Sequence, residues 1–108
     1  DMIISGGENI YSTQVENALH RHPAVLECAV IGIPDPEWGE VVKAVAVLKP
    51  GMHATEREII DEARRHLASY QKPKSVSLVD SLPKAPTGKI LKRELRRPFW
   101  ENRERLVS

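Results

Sequence analysis

The chain has 108 residues, of which 41% are hydrophobic and 29% charged, and its formal net charge is +1. This composition is typical of one folded domain and excludes both a disordered segment and a membrane-embedded chain. The charge is unevenly distributed, because residues 1–83 hold eight Lys or Arg against twelve Asp or Glu, whereas residues 84–108 hold eight against three.

The first residues and the single cysteine indicate whether the chain is a fragment and in which cellular compartment it is expected. Asp1 precedes Met2, from which we expect a fragment of a longer polypeptide. The longest mostly apolar run, residues 24–34, is too short to cross a bilayer, and no basic segment with a long apolar stretch opens the chain. Cys28 has no second cysteine to pair with, which is typical of a reducing compartment. We therefore expect a cytoplasmic protein without a membrane span.

The first predicted elements are a strand and a helix. The segment "MIIS" (2–5) predicts a short strand that ends at a pair of glycines. Thr13, followed three residues later by Glu16, predicts a capping box. Apolar residues at helical spacing then predict a helix that continues to about residue 22.

Two β-branched runs dominate the middle of the chain. Residues 24–33 and 41–48 predict the two central strands of a sheet, separated by the loop "PDPEWGE" (34–40). Thr55 and Glu58 predict a second capping box, which opens a helix with one apolar side.

A third strand and a last helix complete the predicted fold. "SVSLV" (75–79) predicts the strand, and the segment from Lys89 to Arg97 predicts the helix. The alternation predicts a single α+β domain over residues 1–108. Its sheet is expected to be small, mostly antiparallel and three-stranded, with a short additional hairpin and flanking helices.

Two common site motifs are excluded by the residues present. "PTGK" resembles part of a P-loop, but Pro83 stands where that motif needs glycine, and Ile90 stands where it needs Ser or Thr. The four histidines are scattered, and the first two are spaced so that they point in different directions on a helix. They are His20, His22, His53 and His66. We expect no metal site.

Two glycine-containing segments remain as candidate functional sites. In "SGGENIY", Gly6 and Gly7 allow another molecule to approach the main chain closely, although a plain turn has the same sequence pattern. In "KAPTGK", Gly88 allows a turn, and Lys89 is expected to project from the first turn of the following helix. A lysine there is either simply solvated or a mobile charge that contacts phosphate and carboxylate oxygens.

Three segments together resemble a known family. In this order and spacing, they are similar to the small carboxyl-terminal domain of the adenylate-forming (AMP-binding) enzymes, and the resemblance covers essentially residues 1–98. The segments are "DMIISGGENIYSTQVENAL", "IGIPDPEWGEVVKAVAVL" and "SYQKPKSVSLVDSLPKAPTGKILKRELR". The details of the second and third segments look most like the acyl- and aryl-CoA synthetase branch.

The resemblance implies a lid with roles in two half-reactions. Lys89, supported by Thr87 and Gly88, matches the lysine that assists attack of a carboxylate on ATP to give an acyl-adenylate. Gly6 and Gly7 match the segment that approaches the CoA pantetheine after the lid rotates, when the thioester forms. The hinge for that rotation would lie just before the first residue of this chain, and the isolated domain would be inactive.

The resemblance also implies CoA contacts and partners. Trp38, Tyr70, Lys72 and Lys74 match positions where the CoA nucleotide contacts the lid in some relatives, although packing and solvation are the alternatives for these side chains. ATP and CoA are the implied substrates, with Mg²⁺ accompanying ATP. The implied partners are the enzyme's own amino-terminal domain and a lysine acetyltransferase or deacetylase that acts on Lys89.

Two other functions remain open at this point. The chain could belong to another adenylate-forming enzyme, of the peptide synthetase or luciferase type. Alternatively, the basic segment 84–97 could bind nucleic acid or an anionic partner. The segment has no interleaved aromatic residues on which bases could stack, so we expect no nucleic-acid partner.

Overall fold

The structure is a computed structural model that describes the backbone of residues 2–107 and the side chains of residues 2–101. Five strands, three α-helices and a 3₁₀ turn follow one another along the chain. They are β1 (Met2–Ser5), β2 (Glu8–Tyr11), α1 (Ser12–Leu19), β3 (Val25–Asp35), β4 (Gly39–Leu48), α2 (Glu56–Arg64), the 3₁₀ turn (Ser69–Gln71), β5 (Ser75–Leu78) and α3 (Lys92–Val107). The predicted α+β class is confirmed.

Strand β4 is the centre of the sheet. One edge of β4 pairs with β3 in antiparallel fashion along its whole length. Its other edge pairs with β5 and with the β1–β2 hairpin. On that edge β5 runs parallel to residues 43–46, and the β1–β2 hairpin reaches β4 only where Ser5 pairs with Gly39. The predicted three-stranded sheet with an additional hairpin is confirmed, and a notch remains between the hairpin and β5.

The sheet separates two apolar layers. Alternate residues of a strand point to opposite faces, so Ala44 and Ala46 of β4 join the larger core beneath α1 and α2. Val45 and Val47 point the other way, where they pack with Leu82 and with the partly buried Ile90 and Leu95. The segment before α3 is thus fastened to the sheet by its own apolar residues.

The loop between the two long strands is shorter than predicted. Pro34 and Asp35 continue β3, and Gly39 and Glu40 begin β4, so residues 36–38 alone form the turn. Pro34 is accommodated because β3 lies at the edge of the sheet, where a missing backbone donor interrupts no further ladder.

The predicted capping box at Thr13 is wrong. Helix α1 begins at Ser12, so its N-cap is Tyr11, two residues before Thr13, and Tyr11 makes no side-chain capping hydrogen bond. Glu16 does not cap the helix. Its carboxylate instead accepts a hydrogen bond from the backbone N–H of Val30 at 2.9 Å, at the free edge of β3. A tertiary contact therefore takes the side chain that the local pattern assigned to the cap.

The predicted start of the last helix is also wrong. Helix α3 begins at Lys92, and Lys89 lies three residues before it, in a loop. The backbone of this loop is closed by a hydrogen bond from the Ala85 N–H to the Lys89 carbonyl at 2.8 Å, a geometry that prevents a helical turn at Lys89. The helix also extends beyond the predicted end and contains Pro98.

Burial keeps Cys28 protonated. The side chain is 5% exposed, and its Sγ donates to the Glu16 carbonyl at 3.7 Å. Burial, followed by the negative charge of Glu16, raises the pKa of the Cys28 thiol to about 12. The thiol is consequently a core residue rather than a nucleophile at neutral pH.

The capping box at Thr55 is confirmed, and it yields a stability prediction. The Thr55 hydroxyl accepts from the Glu58 N–H at 3.1 Å, while Glu58 accepts from the Thr55 N–H at 2.8 Å. Replacing Thr55 with alanine is expected to lower the free energy of unfolding by about 1 kcal/mol. The Thr55 backbone hydrogen bond lowers the pKa of Glu58, so the contribution of this cap is present at neutral pH and is lost as the pH falls.

Urea unfolding at pH 7 measures this effect, and Thr13→Ala is the matched control. Thr13 is an exposed threonine at the start of α1, but it makes no capping bond, so its replacement is expected to change stability by less than about 0.5 kcal/mol. Equal losses from both substitutions would contradict the assignment.

Candidate functional site

A cavity of about 620 Å³ occupies the notch between the β1–β2 hairpin and β5. Three separate parts of the chain line it: the hairpin, the start of β4, and the segment around the 3₁₀ turn. The lining residues are Ser5, Gly6, Glu8, Trp38, Val41, Val42, Ser69, Tyr70, Lys72 and Lys74. The cavity exists because β1 and β5 cover different ends of the same β4 edge.

Gly6 and Trp38 form one wall of this cavity. The Gly6 N–H donates to the Trp38 carbonyl at 2.9 Å, and Gly6 has a φ of +56°, which a residue with a side chain rarely adopts. A Cβ at this position would lie 2.5 Å from the Trp38 ring atom Cε3. The indole ring therefore packs directly on the main chain of Gly6, which only glycine permits.

The turn before β4 holds Trp38 in place. The Asp35 carboxylate accepts from the backbone N–H groups of Glu37 and Trp38, at 3.0 and 2.9 Å. The Trp38 side chain is nevertheless 50% exposed, so one part of the indole packs on Gly6 and another part faces solvent. A large aromatic surface in this position is suited to stacking against a planar ring.

The opposite wall carries Tyr70 and two lysines. The 3₁₀ turn that holds Tyr70 is fixed by Gln71, whose side chain accepts from the Ala68 N–H and donates to Gln14 of α1. The Lys74 N–H donates to the Val42 carbonyl at 2.8 Å, so the backbone of Lys74 is fastened to β4.

The Lys74 side chain remains available to a ligand. Lys74 Nζ lies 3.9 Å from an Asp35 carboxylate oxygen, at the outer limit of an ion pair, and its side chain is 63% exposed. Contacts of this kind contribute little stability. The cavity thus combines two exposed aromatic side chains with two cations, which suits a ligand with a flat ring and phosphate groups.

Lys89 lies in a closed loop, directly after the turn at residues 86–88. The Leu91 N–H donates to the Pro83 carbonyl, Ala85 donates to the Lys89 carbonyl, and Gly88 donates to the Ala85 carbonyl, each at 2.8 Å. Gly88 has a φ of +90°, and Lys89 is exposed beside it. The loop therefore presents the ammonium group to solvent on a well-defined backbone.

The structure brings together five of the residues that the sequence pointed to and leaves four elsewhere. Those that line the cavity are Gly6, Trp38, Tyr70, Lys72 and Lys74, whereas Gly7, Thr87, Gly88 and Lys89 lie outside it. Sequence reasoning missed the other lining residues, among them Glu8 and Ser69, because neither follows a recognisable motif.

Intramolecular ion pairs reduce the basic character of segment 84–97. Three of its cations lie 2.7 to 2.9 Å from carboxylate oxygens of this chain. The pairs are Lys84 with Glu27, Lys92 with Glu16, and Arg97 with Glu94. This arrangement does not favour a nucleic-acid-binding helix, for which cations must face a phosphate backbone.

Neither a metal cluster nor a membrane-spanning helix is found in the part of the chain that the structure describes. No group of three or more His, Cys, Asp or Glu is placed there to hold a metal ion. Likewise, none of the described helices is long and apolar enough to cross a membrane.

Comparison with known proteins gives consistent matches. A family model described as the AMP-binding enzyme C-terminal domain matches residues 14–89. A feruloyl-CoA synthase from Amycolatopsis is 56% identical over 99 residues, which cover 92% of this chain and 20% of that protein. A long-chain-fatty-acid–CoA ligase from Mycobacterium tuberculosis is 43% identical, also over 99 residues that cover 92% of this chain and 20% of that protein.

A solved structure gives the same result. The crystal structure of an acyl-CoA synthetase from Brucella canis matches with a TM-score of 0.87 and 40% sequence identity, covering 95% of this chain and 20% of that one. The chain thus spans about one fifth of the length of the relatives that it matches.

Proposed function

The chain belongs to the AMP-binding enzyme C-terminal domain family, and we propose that it is the mobile lid of an ATP-dependent carboxylic acid–CoA ligase. In this proposal residues 1–108 form one domain, which rotates over a larger amino-terminal domain of the complete enzyme. Relatives named for feruloyl and long-chain acyl substrates support an aryl or fatty acid as the substrate class.

Lys89 acts in the first half-reaction. A carboxylate oxygen of the acid attacks the α-phosphorus of ATP, the bond to the β-phosphate breaks, and pyrophosphate leaves. The Lys89 ammonium contacts the α-phosphate and carboxylate oxygens as negative charge gathers between them in the transition state. The exposure of Lys89 on a hydrogen-bonded loop supports this role, because the charge reaches the site without rebuilding the loop.

The Gly6 face acts in the second half-reaction. After the lid rotates, Gly6 and Gly7 approach the pantetheine arm. The CoA sulfur, as thiolate, attacks the acyl carbonyl carbon of the acyl-adenylate, the bond from that carbon to the AMP oxygen breaks, and AMP leaves. Trp38 and Tyr70 contact the adenine of CoA, and Lys72 and Lys74 contact its phosphates. Each face enters the active site only when its own reaction takes place.

The observation that carries the proposal is the convergence of Gly6, Trp38, Tyr70, Lys72 and Lys74 on one cavity. These residues come from three distant segments, and the fold places exposed aromatic and cationic groups together at the notch beside β4. Lys89 belongs to a separate loop outside this cavity, which supports the proposal of two surfaces for two steps.

Three further parts of the proposal concern the complete enzyme. Mg²⁺ would accompany ATP and would neutralise charge at its phosphates. Acetylation of Lys89 by a lysine acetyltransferase removes the charge and blocks adenylation, and a deacetylase restores it. The enzyme works in the cytoplasm.

Assaying the complete enzyme with a panel of aryl and fatty acids tests the function. We expect pyrophosphate release that depends on the acid, and formation of an acyl thioester that depends in addition on CoA. Omitting CoA should leave the first activity and abolish the second. Absence of both with every acid, combined with tight and salt-sensitive binding of RNA or DNA, would favour a binding module instead.

A further inference from the structure

A partly buried ion pair lies at the base of the Lys89 loop. Lys92 Nζ is 2.7 Å from Glu16 Oε2, and the two side chains are only 16% and 19% exposed. Lys92 Nζ also donates to the hydroxyl of Ser12, a residue that is 1% exposed. Lys92 is therefore held by α1 at the point where the Lys89 loop ends and α3 begins.

The same carboxylate is fixed from a second direction. Glu16 Oε2 also accepts from the Val30 N–H, at 2.9 Å, on the free edge of β3. One oxygen thus joins α1, on one face of the sheet, to the start of α3, whose Leu95 packs on the other face. The Glu16 carboxylate is fixed by the Val30 N–H, and the Lys92 ammonium group is fixed by the Ser12 hydroxyl. The pair therefore holds Lys92 in one position, unlike a flexible ion pair on the surface.

We infer that Lys92 and Glu16 are a positioning pair for Lys89 in the adenylation step. The inference rests on the proposed function and deepens it, because it names what orients the catalytic lysine. Lys92 follows Lys89 by three residues, and the Leu91 N–H donates to Pro83 across the neck of the loop. Fixing Lys92 consequently fixes one stem of the loop on which Lys89 is carried.

The exposed ion pair at the other stem does not replace this anchor. Lys84 Nζ lies 2.9 Å from Glu27, but the lysine side chain is 42% exposed, so water competes for this contact. Leu82 and Ile90 still pack on the sheet when the Lys92 pair is lost, so the loop is expected to stay attached while its Leu91 stem shifts relative to α1.

Lys92→Met in the complete enzyme tests the inference. Methionine keeps most of the side-chain length and removes the charge. We expect acid-dependent pyrophosphate release to fall by about 10- to 100-fold, the range in which small misplacements of a reacting group act. Formation of the thioester from supplied acyl-adenylate and CoA should change by less than about twofold, because that step uses the Gly6 surface.

Matched variants separate positioning from a merely structural role. Lys92→Arg keeps the charge and is expected to retain most adenylation, whereas Glu16→Gln keeps an acceptor for the Val30 N–H but removes the charge and should impair adenylation. Arg57→Gln breaks an exposed ion pair with Asp61 on α2 and should leave both half-reactions unchanged.

Hydrogen exchange gives a readout that does not depend on activity. In the complete enzyme, Lys92→Met is expected to accelerate amide exchange in residues 83–91, and Arg57→Gln is not. A parallel loss of both half-reactions with Lys92→Met, or unchanged adenylation and exchange, would overturn the inference.

The outcomes also distinguish this inference from the proposed function. If Lys89→Ala abolishes adenylation and Lys92→Met does not affect it, the positioning role fails and the function stands. If the wild-type enzyme activates no acid, the function fails first.

Discussion

Replacing Lys89 with alanine is expected to abolish acyl-adenylate formation while sparing the second step. Loss of one preorganised charge contact to a developing anion typically lowers the rate by about 10²- to 10³-fold, and we expect at least this loss in acid-dependent pyrophosphate release. The thioester should still form from supplied acyl-adenylate and CoA, because Lys89 lies outside the cavity beside Gly6. The measurement compares both half-reactions in the complete enzyme.

Lys49 provides the matched control for this prediction. It is another exposed lysine beside a turn, but it follows β4 and lies far along the chain from the Lys89 loop. Lys49→Ala should leave both half-reactions unchanged. If Lys89→Ala is as active as Lys49→Ala, then Lys89 is a solvated residue without a role in adenylation.

Replacing Gly6 with alanine is expected to impair thioester formation and to spare adenylation, the reverse of the effect expected for Lys89→Ala. The added Cβ would lie 2.5 Å from the Trp38 ring at a φ of +56°, so the ring or the hairpin must move. Because misplacement by about 1 Å can cost about 10²-fold, we expect a loss of this order in thioester formation from acyl-adenylate and CoA. Adenylation should change little, since Lys89 uses a different surface.

Gly51→Ala is the matched control, because it introduces backbone strain at a positive φ without a contact with Trp38. Gly51 has a φ of +76°, and a Cβ there would meet nothing within 4 Å. Alanine at such a φ costs about 1–2 kcal/mol of stability, so this variant should be destabilised but should catalyse both steps normally. If Gly6→Ala and Gly51→Ala behave alike in both assays, close packing on Trp38 is irrelevant to the CoA step.

These two predictions depend on the separation of the two surfaces. The Lys89 loop is fastened to one face of the sheet through Leu82 and Ile90, whereas the Gly6 cavity lies at the β4 edge between the hairpin and β5. We therefore expect a single substitution to impair one of the two proposed half-reactions without the other. The proposed rotation of a rigid lid requires this separation.

Local patterns predicted those elements that depend on local physics. The β-branched runs became β3 and β4, and the Thr55 capping box formed as expected, because propensity and capping act over a few residues. The Thr13 pattern failed, since Glu16 gained a tertiary hydrogen bond with Val30 that outweighs a local cap. The helix predicted to begin at Lys89 does not begin there, because a backbone hydrogen bond from Ala85 holds Lys89 in the stem of the loop, after the turn at residues 86–88.

The sequence by itself determined the fold class, the family resemblance and the candidate residues, because each depends on residue type and on spacing along the chain. Only the tertiary structure decided which candidates share a site. Trp38 packs on Gly6, and both share a cavity with Tyr70, because β1 and β5 cover different ends of one strand edge and leave that cavity between them. Such a cavity is a product of strand order, which no local pattern encodes.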